Sequence, residues 1–197
     1  MKKIVITGGP CGGKTTVISA LGVEFEKEVA VVPEVATMLL EGGFPTPGRD
    51  VEWSEEWQEA FQNVILPLQK SVERVIVIKA KKEGKKILIC DRGILDGAAY
   101  TPGGSDEFCK KFNLNQDDCL NGYDAIVHLE SLSVVDPDKY GKAGNSHRFE
   151  PLEKAIEIEA SVKKVWEKHH RHFVINGNRG IVGKISEVIG MVRFLAS

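Results

Sequence analysis

Eight consecutive residues near the amino terminus, Gly8-Gly9-Pro10-Cys11-Gly12-Gly13-Lys14-Thr15, match the pattern GxxxxGK[ST] without a mismatch. Each residue type there has a physical reason. Glycines let successive backbone N–H groups turn inward around an anion with no Cβ in the way. A helix opening at Lys14 would add unpaired N–H groups and the positive end of its dipole. The Lys14 ammonium reaches β- and γ-phosphates as a point charge. The Thr15 hydroxyl suits Mg²⁺, and Thr16 offers a further phosphate contact. The alternative is an ordinary glycine-rich turn, but a chance match in a chain of this length is on the order of one per cent. Cys11 lies inside the loop without implying a thiol nucleophile.

Side chains that could work with such a loop lie further along. Asp91 ends the apolar run ILICD. The carboxyl end of a buried strand is where an α/β sheet exposes its site. Asp91 could hold Mg²⁺ there, or it could cap a helix. Glu34 follows the second apolar run at the same sheet edge. It could accept a proton from an acceptor hydroxyl, although its position alone fits a first-turn glutamate favoured by the helix dipole. Arg92 offers a planar fork for phosphate or carboxylate, against the alternative of a surface ion pair. Arg148 closes the segment 130–149 beside Lys139, Lys142 and His147. A basic lid would neutralise a triphosphate and exclude water, the alternative being a solvated loop. Gln62, next to Phe61, could reach a pocket or lie on the surface. Arg49 is a weaker candidate for an acceptor contact, in a Pro/Gly loop that favours a solvated side chain. His169-His170-Arg171-His172 fits a polar turn better than a metal site, because passage from helix to strand spoils a shared face. Trp53, Trp57 and Trp166 read as packing.

These residues need elements to position them, and strand and helix patterns alternate along the chain, which predicts an α/β fold with a parallel sheet. Strands are expected at 3–7, 28–32, 86–90, 124–129 and 172–176. Helices are expected at 14–21, 34–40, from Ser54 to near Gly84 with a kink at Pro67, in short pieces across 94–100 and 105–120, from Pro151 to about 169, and over 181–195. The long helix carries Trp57, Phe61, Val64, Ile65, Leu68, Val72, Val75 and Ile76 at helical period. The next-to-last turns Leu152, Ala155, Ile156, Val162, Val165 and Trp166 inward. Residues 130–149 lack periodicity and read as a loop long enough to be a lid. The whole chain, 1–197, reads as one domain with a lid at about 130–150.

Composition narrows the partners. The chain has 197 residues, 42% of them apolar, and a formal net charge of −2. That balance argues against general nucleic-acid or anionic-membrane binding. No apolar run approaches transmembrane length, and Lys14 and the glycines interrupt the only amino-terminal one, so neither a membrane span nor a signal peptide is expected. Four cysteines without a CxxC pair suit a reduced, cytoplasmic protein.

Taken in order, ITGGPCGGKTT, PEVA, AFQ, ICDRGILDGAAY and HRFE resemble the small P-loop AAA-type domain family, which includes the ribosylnicotinamide kinase domain of NadR. More distantly they resemble deoxynucleoside and thymidylate kinases. The resemblance implies a three-layer P-loop NTPase sandwich with a five-stranded parallel sheet in the order 2-3-1-4-5. It also implies Glu34 as general base, Gln62 on the acceptor base, Asp91 supporting Mg²⁺, Arg92 gripping a phosphate and Arg148 as a lid arginine. Asn176-Gly177-Asn178 would cradle the adenine. Residues 131–147 carry few arginines, a departure from the family's lid.

Two readings follow. One is an ATP- and Mg²⁺-dependent kinase acting on a small acceptor, a nucleoside or nucleotide. The other is a regulatory ATP- or GTP-binding module that switches a surface without a small acceptor. No NKxD run marks guanine specificity, so ATP is the default. Nucleic-acid ends are poor acceptors for a chain without a basic channel, and the oligomeric state is open. Lys14→Ala should abolish nucleotide binding and turnover, and should cost far more than removing Gln62; a calorimetric titration checks this.

Overall fold

The structure, a computed structural model, describes residues 1–140 and 151–196. Strand β1 (Lys2–Thr7) leads through the glycine loop into α1 (Lys14–Glu24). Then come β2 (Val29–Val32), α2 (Val35–Glu41), α3 (Glu55–Lys82) and β3 (Ile87–Asp91). A 3-10 turn (Ile94–Tyr100) precedes α4 (Gly104–Lys111), α5 (Gln116–Asn121) and β4 (Ala125–Leu129). After α6 (Leu132–Val135) and a second 3-10 turn (Pro137–Lys139) the chain continues with α7 (Leu152–Trp166), β5 (His172–Ile175), a third 3-10 turn (Gly177–Arg179) and α8 (Gly180–Ala196).

All five strands run parallel in the order β2-β3-β1-β4-β5, as the resemblance implied. Short runs rich in Val and Ile, buried on both faces, suit such a sheet. Alternation along β1 divides the core into two layers. Val5 faces a layer with Leu66, Leu95, Phe108, Val162 and Trp166 from α3, the first 3-10 turn, α4 and α7. Ile4 and Ile6 face the opposite layer with Val17, Leu21, Val188 and Val192 from α1 and α8. The result is a sheet with helices on both faces.

Several local expectations hold for physical reasons. Ser54 Oγ accepts from Trp57 N at 3.1 Å and starts α3. Gly84, at φ 72°, ends it with a conformation that suits glycine. The helix α3 carries Pro67 within it. Other expectations are corrected, first on α3. Its buried face carries Phe61, Ile65 and Leu66 but also Gln58, Gln62, Gln69 and Glu73, whereas Val64 and Val75 are exposed. Spacings of four, seven and four put those four polar residues on one stripe of a helix. In α7, Ile156 is exposed, and Ile158 and Glu159 take the inner face. Residues 132–139, expected as loop, hold two short helical pieces begun by Ser131, whose Oγ accepts from Ser133 N. The rest of the expected lid, including Lys142, His147 and Arg148, lies outside the described residues.

Trp166 is the largest fully buried side chain, and a Cβ on Gly93 would stand 2.6 Å from its ring. Its Nε1 also donates to Asp96 Oδ2 at 3.2 Å. Trp166→Ala should therefore lower unfolding free energy by about 3–5 kcal/mol, read as a shifted urea midpoint at unchanged slope.

Candidate active site

The glycine loop crosses the carboxyl end of the sheet between β1 and α1. Gly8 has φ 133°, and a Cβ on it would lie 2.3 Å from the Leu129 carbonyl oxygen, so this close approach to β4 admits only glycine. The Lys14 side chain is buried, and its Nζ donates to the carbonyls of Gly8 and Gly9 at 2.8 and 2.9 Å. Helix α1 opens with no side-chain cap and no acid in its first turn among the described residues. Its first amides and dipole therefore favour an anion. Thr15 and Thr16 are exposed at this opening.

Strand register brings the next residues beside the loop. Ile6 pairs with Asp91, and Val32 pairs with Cys90. Continuing the second register sets Glu34 level with Arg92. Arg92 Nε donates to Glu34 Oε1, and Thr37 Oγ1 donates to Glu34 Oε2 at 2.6 Å. Arg92 adopts the left-handed region at φ 71°, a conformation costing roughly 1–2 kcal/mol for a residue with a Cβ. Its N–H donates to Ile6 O at 3.1 Å, and its carbonyl accepts from Gln69 Nε2 at 3.0 Å, so the backbone is held on both sides. The following turn is capped by Asp96, not by Asp91. Asp96 Oδ2 accepts from Gly93 N at 2.8 Å, and Asp96 Oδ1 accepts from Thr7 Oγ1 and lies 3.5 Å from Arg92 Nη1.

Two neighbouring carboxyls respond to this setting in opposite ways. Burial pushes Glu34 up, but Arg92, then Lys14 and the Thr37 hydrogen bond, bring it down to about 2. Asp91 is raised to about 6, by burial first and by the Glu34 charge second, against the pull of Lys14 and Arg92. Among the described residues, Asp91 Oδ1, Gln62 Oε1 and Arg92 Nη1 are buried without a hydrogen-bond partner. Unpartnered buried polar atoms are costly and call for an explanation. The site thus joins an amide-lined loop to a fixed carboxylate, a cation and three open polar atoms, a set that can bind an anion and orient a second polar molecule.

The remaining candidates are distributed as follows. Gln62 reaches inward beside Phe61, on which Trp57 stacks at 4.7 Å. Trp53 is exposed, and Trp166 belongs to the core. Arg49 is exposed and held by Asp50 at 2.8 Å. Asn176 Oδ1 accepts from Asn178 N, and Gly177 N donates to Glu130 Oε2, in the turn after β5. His169 is buried, with Nε2 3.0 Å from Tyr123 O, and no group of metal-ligating side chains occurs among the described residues. All four cysteines are free. No described helix is long and apolar enough to cross a membrane.

The AAA domain family matches residues 3–181 of this chain. The chain belongs to that family. No curated protein matches the sequence. Solved structures that share the fold of this AAA-domain protein include two of deoxyadenosine kinase from M. mycoides, both at 14% identity. The structure with the products dCMP and a flexible dCDP bound has a TM-score of 0.60, over 97% of this chain and 98% of that one. The structure with dATP bound has a TM-score of 0.58, over 98% and 100%.

Sequence reasoning missed Asp96, His128, Glu159 and Lys184, all buried around the loop. A signal existed for two of them. Glu159 falls on the inner stripe of its helix between Ala155 and Val162, and Lys184 on that of Val188 and Val192. A charge placed on an apolar stripe asks for a buried partner.

Asp91 sets a pH dependence. Its folded-state value lies above the ordinary 3.8, so the native state binds this proton more tightly than the unfolded chain. The stability it contributes is present below 3.8 and lost as pH rises towards about 6. Asp91→Asn should therefore raise the melting temperature of nucleotide-free, magnesium-free protein at pH 8 by the equivalent of about 1–3 kcal/mol. Scanning calorimetry across pH should show that advantage fading by pH 4.

Proposed function

We propose that this AAA-domain protein is an ATP- and Mg²⁺-dependent phosphotransferase with a small acceptor, a nucleoside or nucleotide. The observation that carries the reading is the half-buried Glu34–Arg92 pair at the same sheet edge as Lys14. A phosphate loop alone needs no second ionised carboxylate, and Gln62 Oε1 adds an open acceptor atom suited to a base amide or amino group. The shared fold with deoxyadenosine kinase supports the same reading.

The residues fit both groups the reaction needs. The uncapped start of α1 and the amides from Cys11 through Thr16, in the loop that begins at Gly8, suit a polyphosphate. The open Asp91 Oδ1 and the Thr15 hydroxyl are oxygen donors of the kind a hard cation takes, and they would hold Mg²⁺. Bound ATP–Mg²⁺ supplies the phosphoryl group and neutralises part of its charge. Lys14 would exchange the Gly8 and Gly9 carbonyls for phosphate oxygens. Arg92 would meet the transferred group while fixing Glu34, and Glu34 would accept the hydrogen bond of the acceptor hydroxyl and later its proton. A carboxylate held near 2 is a weak base. That suffices where the transition state is loose and the proton leaves late. Gln62 would meet the acceptor base, with Arg49 a peripheral contact. The turn Asn176-Gly177-Asn178 would lie against the adenine. Residues 1–197 would act as one domain, with the segment 130–150 as lid and Arg148 its arginine.

A thermal-shift and product screen tests the proposal with a non-hydrolysable ATP analogue or ATP, Mg²⁺, and a panel including deoxyadenosine, other nucleosides, their monophosphates and ribosylnicotinamide. One acceptor should add stabilisation on top of the analogue and give a phosphorylated product with ATP. With it, Glu34→Gln should lower kcat by about 10²–10⁴ while analogue binding persists. ATP hydrolysis without product from any acceptor would instead favour the regulatory module.

A further inference from the structure

Behind the glycine loop stand two buried side chains of opposite charge. Glu159, from α7, accepts from Gly9 N through Oε2 at 2.6 Å, and its Oε1 lies 2.7 Å from His128 Nε2 in β4. A Cβ on Gly9 would stand 3.1 Å from both Cα and Cβ of Glu159, so helix and loop are in direct backbone contact. Lys184, from α8, donates to Gly12 O at 2.9 Å and to Glu130 O at 2.5 Å. Between these anchors, Ser131 Oγ donates to Pro10 O, and Leu132 N donates to Cys11 O at 3.4 Å. Each of the four residues from Gly9 to Gly12 thus has a main-chain group held from outside the loop.

This pattern has a geometric consequence. In a trans peptide the C=O and the following N–H point opposite ways. Carbonyls of Pro10, Cys11 and Gly12 tied to the rear therefore turn the amides of Cys11, Gly12 and Gly13 to the front. Burying a carboxylate and an ammonium is expensive unless their geometry is put to use. We propose that Glu159 and Lys184 are positioning residues for the nucleotide, presetting the peptide planes of the loop so that its amides face the phosphates before a nucleotide arrives. His128 orients Glu159. The proposal rests on the phosphate-loop reading and adds to it residues that touch no ligand.

Two measurements on the full chain test it: the amide resonance of Gly9 by NMR, and calorimetric binding of a non-hydrolysable ATP analogue with Mg²⁺. In the wild type the Gly9 amide proton should be shifted far downfield and protected from exchange, as befits a short bond to a carboxylate. Glu159→Ala should remove that signature and weaken the analogue about tenfold or more, whereas Glu159→Gln, which keeps an acceptor for Gly9, should stay within about threefold. Lys184→Met keeps the packing and removes both donations, and should also weaken the analogue about tenfold. Urea unfolding establishes that each variant is folded. If Glu159→Ala does not fold, the wild-type Gly9 resonance and Lys184→Met still decide. Wild-type binding with folded variants unchanged overturns the proposal, as does an ordinary Gly9 resonance. No binding by the wild type overturns the phosphate-loop reading as well.

Discussion

Strands that all run the same way leave all their carboxyl ends on one edge, and the rest of this site depends on that constraint. The pairing of Ile6 with Asp91, Val32 with Cys90 and Thr7 with His128 holds β1, β2, β3 and β4 nearly level there. The glycine loop leaves β1 at this edge, Glu34 leaves β2, and Asp91 and Arg92 leave β3. Residues 89 positions apart in the chain then interact without any long side-chain reach, as Thr7 does with Asp96. A one-residue slip of β2 against β3 would point Glu34 to the other face of the sheet.

Within that frame, charge balance differentiates similar residues. Glu34 and Asp91 are both carboxylates in the same half-buried setting, yet one receives a guanidinium and a hydroxyl while one oxygen of the other receives nothing. Hydrogen bonds and ion pairing favour the charged form in the first; desolvation and like charge disfavour it in the second. Arg92 can serve Glu34 only because its own backbone is secured, through Ile6 O and through Gln69. Gln69 in turn donates to Glu73, which also accepts from Lys3 and Tyr123. A polar stripe on α3 thereby ties the site to the core, which explains why that helix buries glutamines where valines seemed the better candidates.

Local order was readable because it depends on near neighbours. The glycine loop, the Ser54 cap, the strand runs and the Gly84 stop each act within a few residues, so their spacing carries the information. The inner face of a long helix is harder to read. An apolar period tolerates several faces, and α3 and α7 chose ones that bury Gln62, Gln69, Glu73 and Glu159 at the expense of Val64, Val75 and Ile156. Asp91 and Asp96 show the same limit. Both are acids following an apolar run, and only the chain's turn at Gly93 decides which caps it.

What the amino-acid sequence determined by itself is the alternation of strands and helices, the glycine-rich loop between the first strand and helix, and the identity of the acids and bases near each strand end. These follow from periodicity and short spacings, which survive in one dimension. The tertiary structure alone decided that Arg92 secures Glu34, that Asp91 keeps an open oxygen, and that Glu159 and Lys184 brace the loop from behind. Those are contacts between elements far apart in the chain, and their energies depend on burial and strand register, quantities that exist only once the layers have packed.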